Sequence, residues 1–110
     1  MAAVTSQLRR GVVEFCVLAM VAKEDRYGFD IARALGGVES LSVTEGTVYP
    51  LLSRLRKEGL VTTSWRESDA GPPRKYYAIS EQGRRTLADF IEEWSRFRDA
   101  VDIVLQGSTS

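Results

Sequence analysis

The segment TEGTVYPLL, residues 44–52, decides how this chain is interpreted. Its apolar residues recur at the three- and four-residue spacing of one helix face, which predicts a helix that ends at Gly59. Thr44 is expected to cap this helix through its hydroxyl, although Ser42 with Glu45 would form a competing capping box. Pro50 lies inside it, where a proline removes a backbone donor and crowds the preceding turn. The expected buried stripe is Val48, Leu51, Leu52 and Leu55.

The opposite face of this helix carries hydroxyl and cationic side chains. Hydroxyls and arginine suit base edges or phosphates of DNA, and lysine suits phosphates. An ordinary solvated face is the alternative, and Arg56 and Lys57 taken alone favour it. Pro50 favours DNA, because a flat surface without donors can lie close to a groove wall. One stripe holds Thr47, Pro50, Arg54 and Lys57, and its neighbour holds Tyr49, Ser53 and Arg56.

Composition excludes several classes of protein. With 110 residues, of which 44% are hydrophobic and 27% are charged, the chain is expected to fold as one domain. One cysteine and no histidine rule out an internal disulfide and argue against a zinc site. Without histidine or a glycine-rich phosphate loop no catalytic set is present, so we expect neither an enzyme nor a cofactor. Cys16 is interpreted as inert core filling.

The residues before the segment predict two further helices. Residues 6–22 are apolar almost all round, which predicts a helix that needs more than one partner. Their likeness to an export signal is discounted, because Glu14 interrupts an apolar run too short to span a membrane, so an intracellular protein is expected. Gly36 and Gly37 end the second helix. Its expected buried face is Tyr27, Ile31, Ala34 and Leu35.

The residues after the segment predict a hairpin and a long helix. Residues 60–68 and 74–80 are rich in β-branched and aromatic residues, and DAGPP between them is a turn signal. Ser80 is expected to cap a helix over 81–106. The fold class is therefore mainly α with a small β-hairpin (α+β), a winged helix-turn-helix over 1–80, whose third helix enters the major groove, with a terminal helix over 81–106 and a tail over 107–110. Tyr76 and Tyr77 alternate across the strand, and the sequence leaves open which faces inward.

The turn and the terminal helix each suggest an interaction. Gly71 begins a rigid turn followed by Arg74 and Lys75, which suits a wing that contacts DNA, the alternative being two merely exposed cations. The terminal helix, roughly 38 Å long, would overhang a core of this size, which predicts a homodimer in which it pairs with the partner's first helix. A back-folded monomer is the alternative. The dimerisation stripe is Leu87, Phe90, Ile91, Trp94, Phe97, Val101, Val104 and Leu105.

The strings TVYPLLSRLRKEGLV and GPPRKYYAISEQGRRTL resemble the PadR family of bacterial transcriptional repressors. The resemblance runs from about Leu8 to Trp94, with Val48 in place of the usual leucine and Glu45 where proline is frequent. It is closest to the shorter branch, which implies a dimer that binds a pseudo-palindromic double-stranded operator. It also implies that Thr44, with Thr47, Tyr49 and Pro50, lies at the DNA surface beside a wing over residues 71–75.

Trp94 raises the hypothesis of an effector site. In a two-fold dimer it could face Trp94 of the partner subunit across a slot for a planar aromatic molecule. The sequence Trp94-Ser95-Arg96 is similar to that of some multidrug-sensing relatives. Plain interface packing is the alternative for Trp94, and a winged helix that binds protein rather than DNA is the alternative for the whole chain. The expected slot residues are Val12, Phe15, Ala19, Phe90 and Trp94.

Overall fold

The computed structural model describes residues 11–38, 41 and 43–107. Over these residues the chain forms four helices and a three-stranded antiparallel sheet of order β1-β3-β2. The predicted α+β winged-helix layout with a long terminal helix is confirmed. The elements are α1 (Val13–Lys23), β1 (Arg26–Tyr27), α2 (Gly28–Gly36), α3 (Glu45–Lys57), β2 (Val61–Arg66), β3 (Arg74–Ile79) and α4 (Glu81–Gly107).

The first helix begins later than the sequence predicted. The prediction began at residue 6, whereas α1 begins at Val13, and residues 6–10 lie outside the described part of the chain. Gly11 has a φ of 80°, a left-handed conformation that a right-handed helix cannot continue through. The amide of Phe15 then bonds the carbonyl of Val12 at 3.0 Å and opens the helical ladder.

The buried face of α2 differs from the predicted face by one residue. Ala34 is exposed, whereas Ala32 is buried beside Ile31 and Leu35. The prediction of Ala34 was therefore wrong. Ala32, one residue after Ile31, and Ala34, three residues after it, could both lie on the buried face of a helix, and the elements packed against α2 decide which of them does. Tyr27, predicted as the first residue of this helix, belongs instead to β1.

Strand β1 was not predicted, and it settles the orientation of the two tyrosines. Tyr27 pairs with Tyr76 and Arg26 pairs with Tyr77, so this two-residue strand joins the hairpin as a third strand beside β3. Tyr77 is buried with 7% of its surface exposed, whereas the Tyr76 ring lies 5.7 Å from the Tyr27 ring on the opposite face. A strand of this length carries no periodicity that a sequence pattern could reveal.

The core lies between the three helices of the N-terminal half and the inner face of the sheet. Val48, Leu52 and Leu55 of α3 have no exposed surface, and Leu51 is half-buried. Burying each such side chain contributes about 1.5–3 kcal/mol, so α3 is held firmly by one face. The core cluster is Val13, Val17, Leu18, Val21, Ile31, Ala32, Leu35, Val43, Val48, Leu52, Leu55, Leu60, Val61, Tyr77 and Leu87.

The predicted stops and caps hold with one exception. Gly59 ends α3 with a φ of 77°, and the Leu60 amide bonds the Leu55 carbonyl at 3.0 Å, closing the left-handed terminating motif. The Ser80 hydroxyl accepts from the Gly83 amide at 2.9 Å and thereby caps α4. Thr44 occupies the cap position of α3, but its hydroxyl makes no capping bond and lies 3.5 Å from the Thr47 hydroxyl. The competing capping box involves Ser42, which lies outside the described residues.

Helix α4 is anchored only at its beginning. Of its 27 residues, Gly83 and Leu87 are buried, and Phe90 is half-buried. From Ile91 onward nearly every residue is exposed, in a protein whose principal extents are 58 × 30 × 21 Å. The predicted overhang is therefore present.

We predict that Gly83→Ala destabilises the protein by about 1–3 kcal/mol, because the surface of α4 at this position is already in tight contact with its neighbours and leaves no room for a methyl group. A Cβ at Gly83 would overlap the carbonyl oxygen of Leu60 and lie 2.8 Å from Cγ1 of Ile79. Gly46→Ala is the matched control, since its nearest neighbour, the Thr44 hydroxyl oxygen, lies 3.7 Å away. In a helix the control change should stabilise by up to about 1 kcal/mol. Thermal unfolding of both variants tests this, and equal melting temperatures would contradict it.

Candidate functional site

The exposed face of α3 holds the hydroxyl groups that the sequence placed there. Thr44, Thr47 and Ser53 are all exposed. The hydroxyl oxygens of Thr44 and Thr47 lie 3.5 Å apart at the amino end of the helix. Because the buried stripe fixes the opposite face, this pair points away from the core and is available to a partner.

Pro50 lies on the same exposed face and leaves a gap in the helix ladder. A helical residue at position 50 would donate its amide to the carbonyl of Gly46, and proline has no amide to give. The residue four positions before the proline is where its ring crowds the backbone, and here that residue is a glycine. The helix continues through the gap to Lys57. The result is a smooth, donor-free surface one turn from the threonine pair.

Tyr49 is held in place by a contact that the sequence did not reveal. A Cβ built on Gly28 would lie 3.0 Å from Cε1 of Tyr49, so the absence of a side chain at Gly28 makes room for the ring. Burial, with smaller contributions from Glu45 and Tyr27, raises the pKa of Tyr49 above its ordinary value. A tyrosine phenol is protonated at neutral pH in any case, so Tyr49 can donate a hydrogen bond, and 41% of its side chain remains exposed.

Arg54 has carboxylate partners within the chain. Its guanidinium lies 3.6 Å from Glu14 of α1 and 3.3 Å from Glu58 of α3. The Glu14 side chain is only 17% exposed, so this pair links two helices at the edge of the core. A contact between Arg54 and another anion would compete with both carboxylates.

A cleft of about 310 Å³ lies between the second half of α3 and strand β3. Arg56, which was interpreted as part of a solvated face, therefore shares a concave site with a lysine of the wing. Burial raises the pKa of Tyr77 at its wall, and the nearby Arg56 charge opposes this effect. The lining residues are Ser53, Arg56, Lys57, Lys75 and Tyr77.

The hairpin separates its two adjacent cations. Neighbouring residues of a strand face opposite sides, so Lys75 lines the cleft while Arg74 lies over the Tyr27 ring at 4.6 Å. On that outer face, Arg66 lies 4.4 Å from the Tyr76 ring and bonds Asp25 at 2.6 Å. These contacts stiffen the wing.

The tip of the hairpin is also ordered by a hydrogen bond. The Ser68 hydroxyl lies 3.2 Å from the carbonyl oxygen of Gly71 and 3.0 Å from that of Pro72. Gly71 has a φ of 126°, a conformation that favours glycine, and no atom would lie within 4 Å of a Cβ built at this position. The tip therefore offers bare backbone to a partner.

Three of the expected effector-site residues form one aromatic stack within the chain. The rings of Phe15 and Phe90 are parallel, with centroids 3.9 Å apart, and Trp94 stacks on Phe90 at 5.9 Å. Trp94 remains 37% exposed. Val12 is half-buried and Ala19 is exposed, each on α1 or its cap. The stack joins α1 to α4, so one face of Trp94 is covered by its own chain.

Other kinds of site find no support in the described ranges. No group of three or more possible metal ligands occurs among residues 11–38, 41 and 43–107. No helix in the described part of the chain is long and apolar enough to cross a membrane. Burial raises the pKa of the Cys16 thiol, which keeps it protonated and unreactive.

Comparison with known proteins identifies relatives with the same architecture. The model of the transcriptional regulator PadR-like family matches residues 17–89. A PadR-like transcriptional regulator from Bacillus cereus is 36% identical, with 91% of this chain and 97% of that chain covered, at a TM-score of 0.82. A PadR-like transcription factor from Bacteroides fragilis is 38% identical, with 93% of this chain and 98% of that chain covered, at a TM-score of 0.75. A PadR family regulator from Eggerthella lenta is 30% identical, with 94% and 90% covered, at 0.82.

Proposed function

Because the chain belongs to the PadR-like family of transcriptional regulators, we propose that it is a dimeric repressor that binds a pseudo-palindromic operator and is released by a small aromatic effector. As a regulator of this family, it binds DNA to control transcription and is not an enzyme. The observation that carries the proposal is the exposed face of α3, where Pro50 and the threonine pair lie beside a basic cleft. We place its action in the cytoplasm, where the operator is.

In this proposal the amino half of α3 reads bases in the major groove. The Thr44 and Thr47 hydroxyls and the Tyr49 phenol supply donors and acceptors for base edges, and Pro50 allows close approach to the groove wall. The second half of α3 and the wing meet the backbone. Arg54 reaches DNA only by leaving Glu14 or Glu58. The backbone set is Ser53, Arg54, Lys57, Gly71, Arg74 and Lys75.

The rival function is a winged helix that binds protein. Selection of bound duplexes from a random pool separates the two, since a repressor enriches a pseudo-palindromic sequence and a protein-binding module enriches none. Affinity for the selected duplex must also fall as salt rises, because phosphate contacts release counterions. Absence of any enriched sequence would refute the proposed function.

Dimerisation is proposed because α4 exposes a row of large apolar side chains. Phe97 is 65% exposed and Ile91 is 54% exposed. Monomeric proteins usually expose such side chains singly, whereas here they follow one another along a single helix. A second copy covers this row most simply, since a two-fold interface is self-complementary. Such a dimer would place its two recognition helices on successive major grooves about 34–36 Å apart. Leu87, predicted in the same stripe, is buried in the core of its own chain.

The effector is proposed to enter beside the stack of Phe15, Phe90 and Trp94. Since Phe90 covers one face of Trp94, a planar ligand would use the other face and slide toward the partner subunit. Phe15 adjoins Glu14, which holds Arg54 of α3. Movement of α1 by a ligand would therefore reach the recognition helix directly. Release follows if the ligand prefers a dimer with wrongly spaced helices.

We predict that Thr47→Val weakens binding to the selected operator by about 0.5–1.5 kcal/mol, because one hydrogen bond to a base is lost. Binding to a scrambled duplex should stay the same. Thr62→Val, an exposed threonine on β2, is the matched control and should change neither. Fluorescence anisotropy with both duplexes measures this. Equal loss on both duplexes would assign Thr47 to the backbone instead.

We predict that Phe97→Glu combined with Val101→Glu yields a monomer at micromolar concentration, because four buried charges would face each other in the dimer. Both positions are exposed in the single chain, so its fold should survive. Operator affinity should fall with the dimer. Arg96→Gln, on the polar face of α4 beside Glu92, is the control. Light scattering gives the mass, and a monomeric wild type would refute the dimer.

We predict that planar cationic dyes quench the tryptophan fluorescence of the wild type and that Trp94→Ala binds them at least several-fold more weakly, because a stacking surface is lost. Trp65 is the second tryptophan and is 69% exposed. Trp65→Phe controls for its quenching and should bind dyes as the wild type does. Unchanged dye affinity of a dimeric Trp94→Ala would exclude the slot.

A further inference from the structure

We propose that the cleft between α3 and β3 clasps a single phosphodiester of the DNA backbone between Arg56, Lys57 and Lys75. The proposal rests on the proposed DNA-binding function and gives it an anchoring point. Arg56 and Lys57 come from the recognition helix and Lys75 comes from the wing. One phosphate would therefore fix the orientation of the two DNA-binding elements relative to each other.

Charge is the first argument for an anionic occupant. The cleft is lined by three cations and by no carboxylate. Elsewhere in the described ranges, Arg26, Arg54 and Arg66 each lie within salt-bridge distance of a carboxylate. None of the salt bridges found among the described residues involves the three cleft cations. Cations that converge on a recess without a counterion attract an anion from outside.

Size and chemistry are the second argument. A volume of about 310 Å³ corresponds to roughly ten water molecules, which is ample for a tetrahedral phosphate and its ester links. Ser53 adds a hydroxyl at the helix side, and the Tyr77 ring forms an apolar wall. Two lysines act as point charges, whereas the planar guanidinium of Arg56 can donate two parallel hydrogen bonds to one phosphate. This donor set suits a phosphodiester better than it suits a flat aromatic ligand.

Position along α3 is the third argument. Tyr49 and Arg56 are seven residues apart, which is about 10 Å along the helix axis and nearly two turns, so they share a face. That distance is close to the width of the major groove, about 12 Å. When Tyr49 lies over base edges, Arg56 therefore lies at the phosphates that border the groove. The clasp would thus set the depth at which the amino half of α3 enters.

The experiment compares Arg56→Gln, Lys75→Gln and the double variant on a scrambled duplex over a range of salt concentrations. Each neutralised phosphate contributes about 0.9 to the slope of log affinity against log salt. If Arg56, Lys57 and Lys75 share one phosphate, the double variant should lose up to about 0.9 per bound protomer, and the losses of the two single variants should not add. The selected operator should show the same loss. Arg85→Gln combined with Arg96→Gln, two exposed arginines of α4, should leave the slope unchanged.

Trp65 provides a second readout. It pairs with Lys75 across the hairpin and so lies on the same face of the sheet. Duplex binding should change tryptophan fluorescence in the wild type and much less in Trp65→Phe or in the double cleft variant. Circular dichroism and thermal unfolding confirm that each variant is folded.

Five outcomes would overturn the clasp. An unchanged salt slope in the double variant means that the cleft does not touch DNA, and a loss of about 1.8 means two separate phosphates. Loss confined to the operator means base reading. Binding of inorganic phosphate that the variants abolish, with unchanged duplex binding, means a free-anion site. If the wild type binds no duplex, the proposed function falls with the clasp, whereas the first outcomes leave that function intact.

Discussion

The burial of one face of α3 is the constraint on which the rest of this structure depends. Val48, Leu52 and Leu55 have no exposed surface, so the helix can neither roll nor slide without exposing them. Because α3 cannot rotate, the polar residues on its opposite face form a surface with a defined geometry. The threonine pair, the proline gap and the basic cleft all lie where they do because the leucines lie opposite. Pro50 is tolerated because the buried face supplies the stability that the missing hydrogen bond withdraws.

The second constraint is the junction at which α3, the sheet and α4 meet. The Ser80 hydroxyl donates to the Gly59 carbonyl at 2.6 Å and accepts from the Gly83 amide. One side chain thus joins the end of α3 to the start of α4. Gly83 lets α4 lie directly on the backbone of Leu60. The direction of α4 is thereby tied to α3, so the proposed dimer built on α4 would hold its two α3 helices at a set spacing.

The parts of the fold that follow local rules could be predicted from the sequence. Gly59 ends α3 and Ser80 caps α4 because a positive φ and a capping hydroxyl are properties of single residues in their immediate surroundings. Thr44 lies at the predicted start of α3, but the Thr44 hydroxyl lies beside the Thr47 hydroxyl and does not cap the helix. At Thr44, local chemistry therefore predicts where the helix begins but not how its first amides are satisfied.

The parts that depend on packing partners could not be predicted. Strand β1 exists only because β3 offers an edge, and Ala32 is buried only because of what lies against α2. The role of Gly28 under Tyr49 is likewise invisible until two distant segments meet. The candidate site shows the same division. Its helical stripes followed from spacing, whereas the cleft arose from the strand register, which turned Lys75 toward α3 and Arg74 away.

The proposed binding of a polyanion by a neutral protein depends on where its charges are placed. With a net charge of zero, the whole molecule gains little from long-range attraction to DNA. Internal carboxylates pair with Arg54 and Arg66 and withdraw them from the surface field. Among the described cations that form no salt bridge, Arg56, Lys57 and Lys75 converge on the cleft beside α3, whereas others such as Lys23, Arg33 and Arg84 lie elsewhere. In the proposed complex, these three cations would act mainly at contact distance, where the DNA sequence under α3 decides whether the complex persists.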